Sequence, residues 1–452
     1  MTIKKDIVSN ENIYFITLGC SKNQVDSEVM LAMLLLEKFN LVDTPETADY
    51  CIVNTCGFIQ DAIDESNDVI KKLNRIKNQK ESRIKKIIVV GCLVERFGFD
   101  KIKDEFNDVD CFVDVNSPEK IIDALTDDVG IVKSERLYLM DENTPRIIIN
   151  YPHIAYLKIS EGCSNSCSFC TIPSIRGRYR SRPVQSILNE LINLEKLGIK
   201  EVILISQGTT FYGKDLKPAA GLAELLGEIE KLKLSIPWIR LLYLNPDRFD
   251  DELITLIKKS KSILPYFDIP VQHASNKILK SMRRSSNLED ITRLFNKIKE
   301  LIPDSTIRTT FIIGFPGESD ADFQELVDFV KSTEIDRVGI FKYSDEQGTI
   351  AFNLKNKVPD SIIAERYNYL AEICEEKLYS KNSFLIGKTL EVMVDDKFNE
   401  RYITRTRSDA PDIDLKVYFS SNKIFDPGEL VKVLVTDADG VSISVKEVGV
   451  RK

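Results

Sequence analysis

The chain has 452 residues, 43% hydrophobic and 29% charged. That is ordinary globular material, enough for about three domains, and it excludes collagen-like, low-complexity and wholly disordered chains. Acidic residues number 70 against 62 basic ones, so the net charge of −8 is a poor start for gripping nucleic acid and suits a basic partner.

The first 12 residues are polar and carry no signal-peptide core, and the apolar run at 30–36 is far too short to span a bilayer. A cytoplasmic protein without membrane contact is expected. From there to residue 140, short apolar runs at 13–18, 50–53, 87–90 and 111–115 read as strands. Helical patterns lie at 25–39, 61–77, 100–106 and 118–125. Such alternation predicts an α/β domain with a doubly wound parallel sheet over 1–140. The polar, Pro-containing stretch 141–152 reads as a linker.

Residues 153–383 repeat strand then helix six times. Strands are predicted at 155–159, 201–206, 239–244, 266–270, 307–313 and 337–343, with helices at 184–197, 222–232, 250–258, 288–301, 321–332 and 362–380. Six units predict an open, partial (β/α)6 barrel, with functional groups after the C-terminal ends of its strands. The last region, 384–452, is strand-like at 390–394, 416–419, 430–435 and 441–445, with turns at Asp426-Pro427-Gly428 and Asp439-Gly440. It predicts a small antiparallel β-barrel.

Nine cysteines in such a chain do not read as a disulfide framework. The sharpest motif is Cys163-x3-Cys167-x2-Cys170, directly after the first strand of the middle region. Three thiolates on one loop can hold three irons of a [4Fe–4S] cluster and leave the fourth open to a ligand. The competing reading is a zinc loop, which wants four ligands. A second set, Cys20, Cys56 and Cys92, ends three successive strands at equal intervals of one strand–helix unit. Strand C-termini of a parallel sheet share one edge, so the three thiols converge there. They are either a second cluster site or three small buried hydrophobes. Cys51, Cys111 and Cys374 read as core thiols.

Through Cys163, Cys167 and Cys170 the sequence resembles the radical S-adenosylmethionine (SAM) enzymes, and through both triads the methylthiotransferases among them. The resemblance covers nearly the whole chain. It implies a flavodoxin-like N-terminal domain, a radical-SAM partial barrel and a C-terminal TRAM-like barrel. The runs Gly19–Glu28, Asn54–Ile59 and Asp409–Asp414 resemble the branch that acts on ribosomal protein, whereas the tRNA-adenosine branch (MiaB-like) usually has Gln-Met-Asn where this chain has Ser21-Lys22-Asn23. Gly208 stands where Asp is common, and Leu415 where Gly is. The resemblance implies methylthiolation of an aspartate β-carbon on small-subunit protein twelve, a basic partner. It also implies two [4Fe–4S] clusters, SAM, and a flavodoxin- or ferredoxin-type electron donor; a monomer is expected. In this reading the cluster on Cys163, Cys167 and Cys170 cleaves SAM, and the one on Cys20, Cys56 and Cys92 presents sulfur. No side-chain acid or base is required, because the cofactor supplies the radical.

Residues 384–452 hold 11 basic and 12 acidic side chains, where a tRNA-gripping barrel should be basic. This favours the protein substrate, with Asp409, Asp412 and Asp414 as an acidic contact for it; the competing reading makes them turn caps. Candidate SAM contacts are Ser206 and Gln207, Gln272, and Ile313 and Gly314, all at strand ends. His273 reads as structural or as a contact. Arg176, Arg178, Arg180 and Arg182 alternate, and in an extended segment would project to one side, either to pair a carboxylate or to face solvent.

Overall fold

The computed structural model describes residues 11–127, 129–134, 138–438 and 442–448. Its contacts divide the chain into two compact units. The first comprises 1–149, 158–182 and 344–349; the second comprises 150–157, 183–343 and 350–452.

The first unit is built on a six-stranded parallel sheet. Its elements are β1 (Asn12–Thr17), α1 (Ser21–Leu36), β2 (Asn40–Leu41), β3 (Tyr50–Thr55), α2 (Gln60–Lys77) and β4 (Lys86–Gly91), then α3 (Cys92–Phe97), α4 (Phe99–Glu105), β5 (Cys111–Val113), α5 (Ile121–Thr126) and β6 (Ile131–Val132). Strand order is β2-β1-β3-β4-β5-β6, the arrangement of a flavodoxin-like fold. Both faces are covered. Val53, Val89 and Phe112 lie under α2 residues Ile70 and Leu73, and Ile52, Ile88 and Val113 lie with Met30 and Leu34 of α1. This is why the strands read as continuous apolar runs. The helix α3 and the short strands β2 and β6 add to the elements read from the sequence. The linker stretch is irregular but tied down: Arg146 pairs with Glu28 at 2.5 Å, and the Ile147 N–H donates to the Glu28 carbonyl at 3.2 Å.

Next come β7 (Ile154–Lys158), β8 (Ser160–Glu161), α6 (Ile172–Arg176), β9 (Arg180–Ser181), α7 (Val184–Lys196), β10 (Glu201–Ile205), α8 (Leu222–Leu232) and β11 (Trp238–Leu241). They are followed by α9 (Asp251–Lys259), β12 (Ile263–Asp268), α10 (Asn276–Ser281), α11 (Leu288–Leu301), β13 (Thr306–Ile313), α12 (Asp320–Ser332), β14 (Arg337–Lys342) and α13 (Asp360–Ser383). The sheet is open, ordered β14-β13-β12-β11-β10-β7, and β10 to β14 pair in parallel. This is the partial barrel read from six strand–helix units.

The C-terminal strands β15 (Thr389–Phe398), β16 (Arg401–Thr406), β17 (Lys416–Ser420), β18 (Leu430–Ala438) and β19 (Ser442–Glu447) close into a barrel in the order β15-β16-β17-β19-β18. Val392, Val417, Val433 and Ile443 fill it, with Tyr402 stacked on Phe419. The β17–β19 pair is parallel and the rest antiparallel. Five strands replace the four expected: β16, Arg-Tyr-Ile-Thr-Arg-Thr, was too polar to read as a strand. The turn Asp439-Gly440 and Val441 lie outside the described residues.

The polarity of β16 has a use. Arg405, 1% exposed, donates to both oxygens of Asp395 at 2.6 and 2.9 Å and to Glu201 of β10 at 2.8 Å. Glu201 also accepts from Arg240 of β11 at 2.7 Å, and Asp395 meets His153 Nε2 at 3.0 Å. Asp409 and Asp414 of the acidic stretch are likewise held in buried pairs, which corrects the reading of those two as free contacts for substrate. Asp409 is 0% exposed; it accepts from Arg337 at 2.8 Å and from Thr406 at 2.5 Å. Asp414 accepts from Tyr266 at 2.6 Å and from its own Ala410 N–H at 2.8 Å, so the turn-cap reading is nearer the mark. Asp412 is exposed and takes the Tyr151 hydroxyl at 2.8 Å. Buried charges must be paired, and these pairs join the strands of the open sheet to the closed barrel. Asp409→Ala leaves Arg337, whose side chain is only 12% exposed, without its carboxylate. It is expected to cost about 3–5 kcal/mol of stability, read as a lowered unfolding transition, while the folded variant retains its affinity for ribosomal protein.

Candidate functional site

Each cysteine of the first triad sits at the C-terminal end of a strand of the first sheet. Cys20 precedes α1, Cys56 follows β3 and Cys92 opens α3. The turns that bring them together need glycine. Gly91 has φ +107°, and a Cβ there would meet the Asn54 side-chain oxygen at 2.4 Å. A Cβ on Gly19 would lie 2.8 Å from the Cβ of Cys56, which shows how closely the first two loops approach.

Burial and neighbouring charge both act on these thiols. Burial pushes Cys92 up to about 12, with Cys20 and Cys56 adding to the rise and Arg176 opposing it. Burial is also the main reason Cys56 is raised. Cys20 retains exposed surface, yet desolvation by surrounding protein is its largest single influence. Lys22, the Asn23 N–H and Arg176 outweigh it and hold that thiol below its ordinary value, although no N–H···S bond of standard geometry forms at the helix start. Coordination by metal would therefore have to drive protons off Cys56 and Cys92.

Asn23, 0% exposed, organises the three loops. Its amide donates to the carbonyls of Leu18 and Thr55 at 3.1 and 2.8 Å, and its oxygen accepts from Arg176 at 2.6 Å, with the Cys92 thiol at 3.5 Å. Asn54 donates to the Asn23 carbonyl at 2.9 Å and to Ser27 at 2.8 Å. Arg96 donates to the Gly57 carbonyl at 2.8 Å and pairs with Glu346, which also accepts the Gln60 N–H at 2.9 Å. Sequence reasoning missed these supports. The adjacency of Asn23 to Cys20 was the one available signal.

The second triad lies in the same unit, on the loop between β8 and α6. Gly162, at φ +79°, admits the Arg178 carbonyl to 2.3 Å of where a Cβ would stand. The Cys163 N–H donates to the Gly177 carbonyl at 3.0 Å, the Asn165 N–H to the Cys163 sulfur at 3.4 Å, and the Cys170 N–H to the Cys167 carbonyl at 3.2 Å. The loop is thus folded back on itself with its thiols on one short turn. Among the described residues, no three His, Cys, Asp or Glu side chains gather as a single-ion site would require. A cubane cluster spreads three thiolates over three irons, so the donor sets fit clusters better than they fit a lone zinc.

The arginines after this loop do not form the extended row that alternation suggested. Arg176 ends α6, Gly177 turns the chain at φ +74°, and only Arg180 is in a strand. Arg176 and Arg182 are buried while Arg178 is exposed, and Arg182 donates to the Lys158 carbonyl at 2.9 Å.

The SAM candidates are in the second unit, after the C-terminal ends of its strands. Ser206 Oγ accepts the Gly208 N–H at 2.9 Å, and Gln207 follows it. Gln272, at φ +80°, bridges to β13 through its N–H to the Thr310 carbonyl at 2.8 Å, and its own carbonyl accepts from Ile312 at 2.8 Å. Ile313 ends β13, and Gly314 donates its N–H to Glu318 at 2.8 Å. Glu318 is held in turn by Arg366 at 2.6 Å. His273 is fully buried, accepting the Ser275 N–H at 2.9 Å, which is the structural reading. Cys51 and Cys111 are core thiols, pushed by burial up to about 12 and about 11. Cys374, half-buried, is likewise raised to about 11.

Three family descriptions match the chain: the Radical SAM superfamily over residues 157–330, the Uncharacterized protein family UPF0004 over 12–114, and the TRAM domain over 386–448. It is 42% identical to the ribosomal protein uS12 methylthiotransferase RimO of Clostridioides difficile (strain 630), over 93% of this chain and 95% of the relative. It is 40% identical to the RimO of Myxococcus xanthus (strain DK1622), over 95% and 90%. Among solved structures, the radical SAM methyltransferase TsrM from Kitasatospora setae matches with TM-score 0.54 at 16% identity, covering 74% of this chain and 72% of that one, which speaks to fold alone.

Proposed function

Because the chain belongs to the RimO family of ribosomal protein uS12 methylthiotransferases, we propose a division of labour between its two cysteine triads in that reaction. The protein is a radical SAM enzyme that inserts a methylthio group at an aspartate β-carbon of uS12. Cys163, Cys167 and Cys170 hold the [4Fe–4S] cluster that binds SAM. Cys20, Cys56 and Cys92 hold a second [4Fe–4S] cluster that carries the sulfur. These groups supply one-electron cleavage of SAM and a transferable sulfur, chemistry no side chain here can perform.

The chain's own part is to hold and orient. Asn23 and Asn54 knit the loops of the first triad together. Ser206, Gln207, Gln272, Ile313 and Gly314 are proposed as the SAM contacts, and Glu318 fixes the Gly314 backbone. The boundaries that go with these roles are 1–140, a linker over 141–152, the radical SAM domain over 153–383 and the TRAM-like barrel over 384–452. The observation that carries the reading is that both three-thiol sets fall in one compact unit. The reading further takes the protein to be a cytoplasmic monomer served by a flavodoxin- or ferredoxin-type donor. Among the described residues no helix is long and apolar enough to cross a membrane.

The test is direct. Anaerobically loaded enzyme given reductant, SAM and sulfide is expected to add one methylthio group to uS12, located by mass spectrometry on an aspartate, and none to tRNA. Efficient modification of tRNA instead would overturn the substrate assignment.

A further inference from the structure

Arg176 follows the SAM-cluster loop by six residues, yet its side chain does not stay with that loop. It is 3% exposed. One guanidinium nitrogen donates to Asp26 at 2.7 Å; the other donates to Asn23 at 2.6 Å and to the sulfur of Cys92 at 3.2 Å. Ile175, beside it, packs directly on Cys92 and Val115. The segment that leaves one triad therefore touches a thiol of the other.

The surroundings show why arginine stands here. Lys158 already pairs with both nearby carboxylates, reaching Asp26 at 2.8 Å and also bonding Glu161. Arg176 comes to 3.6 Å from Glu161 as well. Two cations thus face two carboxylates, and the charges balance without reference to the sulfur. What the guanidinium adds is a planar fork that satisfies Asp26 on one arm and points the other at Cys92, which an ammonium cannot do in one fixed geometry.

We propose that Arg176 is a positioning residue for the sulfur-carrying centre: its N–H···S bond holds Cys92 in place as a ligand and makes that centre easier to reduce. This rests on the second cluster proposed above. A hydrogen bond to a cluster sulfur stabilises the more negative, reduced state and so raises the reduction potential. It also ties the potential of one centre to the position of the loop that carries the other.

The test uses the full chain with Cys163, Cys167 and Cys170 replaced by Ala, so that only the N-terminal centre can bind iron. Iron content comes first: if this background binds no cluster, the two-cluster reading fails and not the role of Arg176. With a cluster bound, an EPR-monitored titration of Arg176→Gln is expected to show a more negative midpoint, by about a tenfold change in the reduction equilibrium, or ~59 mV for one electron. Arg176→Lys, which keeps the charge and loses the fork, should fall between Arg176→Gln and the parent. Loss of iron from a variant that still melts like the parent would also support the role, as a ligand no longer held. Unchanged midpoints with full iron in both variants would overturn it. So would unfolding of both, which would make the guanidinium a fold-holding group only.

Discussion

Replacing Cys163, Cys167 and Cys170 together by alanine is expected to lower the iron content from about eight atoms to about four and to bring deoxyadenosine release down to that of a protein-free control. All three thiols lie on one turn between β8 and α6. Two backbone bonds that shape the turn, from Cys163 N–H to Gly177 and from Cys170 N–H to Cys167, do not use the sulfurs, although the Asn165 N–H bond to the Cys163 sulfur is given up. The turn should therefore survive the substitutions, and the loss can be assigned to ligands rather than to folding. The N-terminal triad is supported by Asn23 and Asn54, whose bonds are likewise independent of the loop's thiols. The remaining four irons are expected to stay. Iron analysis and product assay on the same preparation separate the two effects, and an undiminished rate of deoxyadenosine release would remove these cysteines from the SAM site.

How much of this was legible in the sequence depended on the range of the interactions. Strands covered on both faces, such as β3 and β4, are nearly all apolar, and their helices repeat apolar residues on one face; both patterns are local and were readable. The positions of Cys20, Cys56 and Cys92 after strands were readable for the same reason, and the spacing of Cys163, Cys167 and Cys170 puts them on one loop. The strand β16 was not, because Arg405 sits inside the protein by virtue of Glu201 and Asp395, and Thr404 by donating its hydroxyl to the Val417 carbonyl, partners that no local pattern contains. The arginine row misled for a related reason. Alternation of Arg with uncharged residues imitates a strand, but α6 and the turn at Gly177 place successive arginines in different environments. Arg176 acquires its role from Asp26, 150 residues earlier. The acidic stretch shows the same limit: three aspartates in six residues look like a surface patch, and the arginines that bury two of them come from β13 and β14.

Charge counting needs the same correction. The near-neutral balance of residues 384–452 includes Arg405, Asp395, Asp409 and Asp414, which are neutralised internally or against the open sheet. Surface charge is therefore carried by the remaining residues of the barrel. The preference for a protein substrate rests on the family to which the chain belongs more firmly than on that sum.

The second large effect concerns Cys20, Cys56 and Cys92. Changing all three to alanine is expected to eliminate the methylthiolated product while deoxyadenosine is still released. The reason is separation of ligands: none of these residues belongs to the loop of Cys163, Cys167 and Cys170, and the strand ends that carry them are knit by side-chain amides rather than by sulfur. Some change in rate is expected all the same, because Arg176 reaches from the segment after Cys170 to Cys92 and loses that acceptor in the variant. It keeps Asp26 and Asn23, so α6 should remain docked. The measurement is the ratio of methylthio product to deoxyadenosine, which should fall to zero in the triple variant and stay near the parent value in Cys51→Ala, a change to a buried thiol within β3. If deoxyadenosine release disappears together with the methylthio product in a variant that retains about four irons, the two triads do not divide the reaction. Retention of methylthiolation would instead show that the sulfur is held elsewhere.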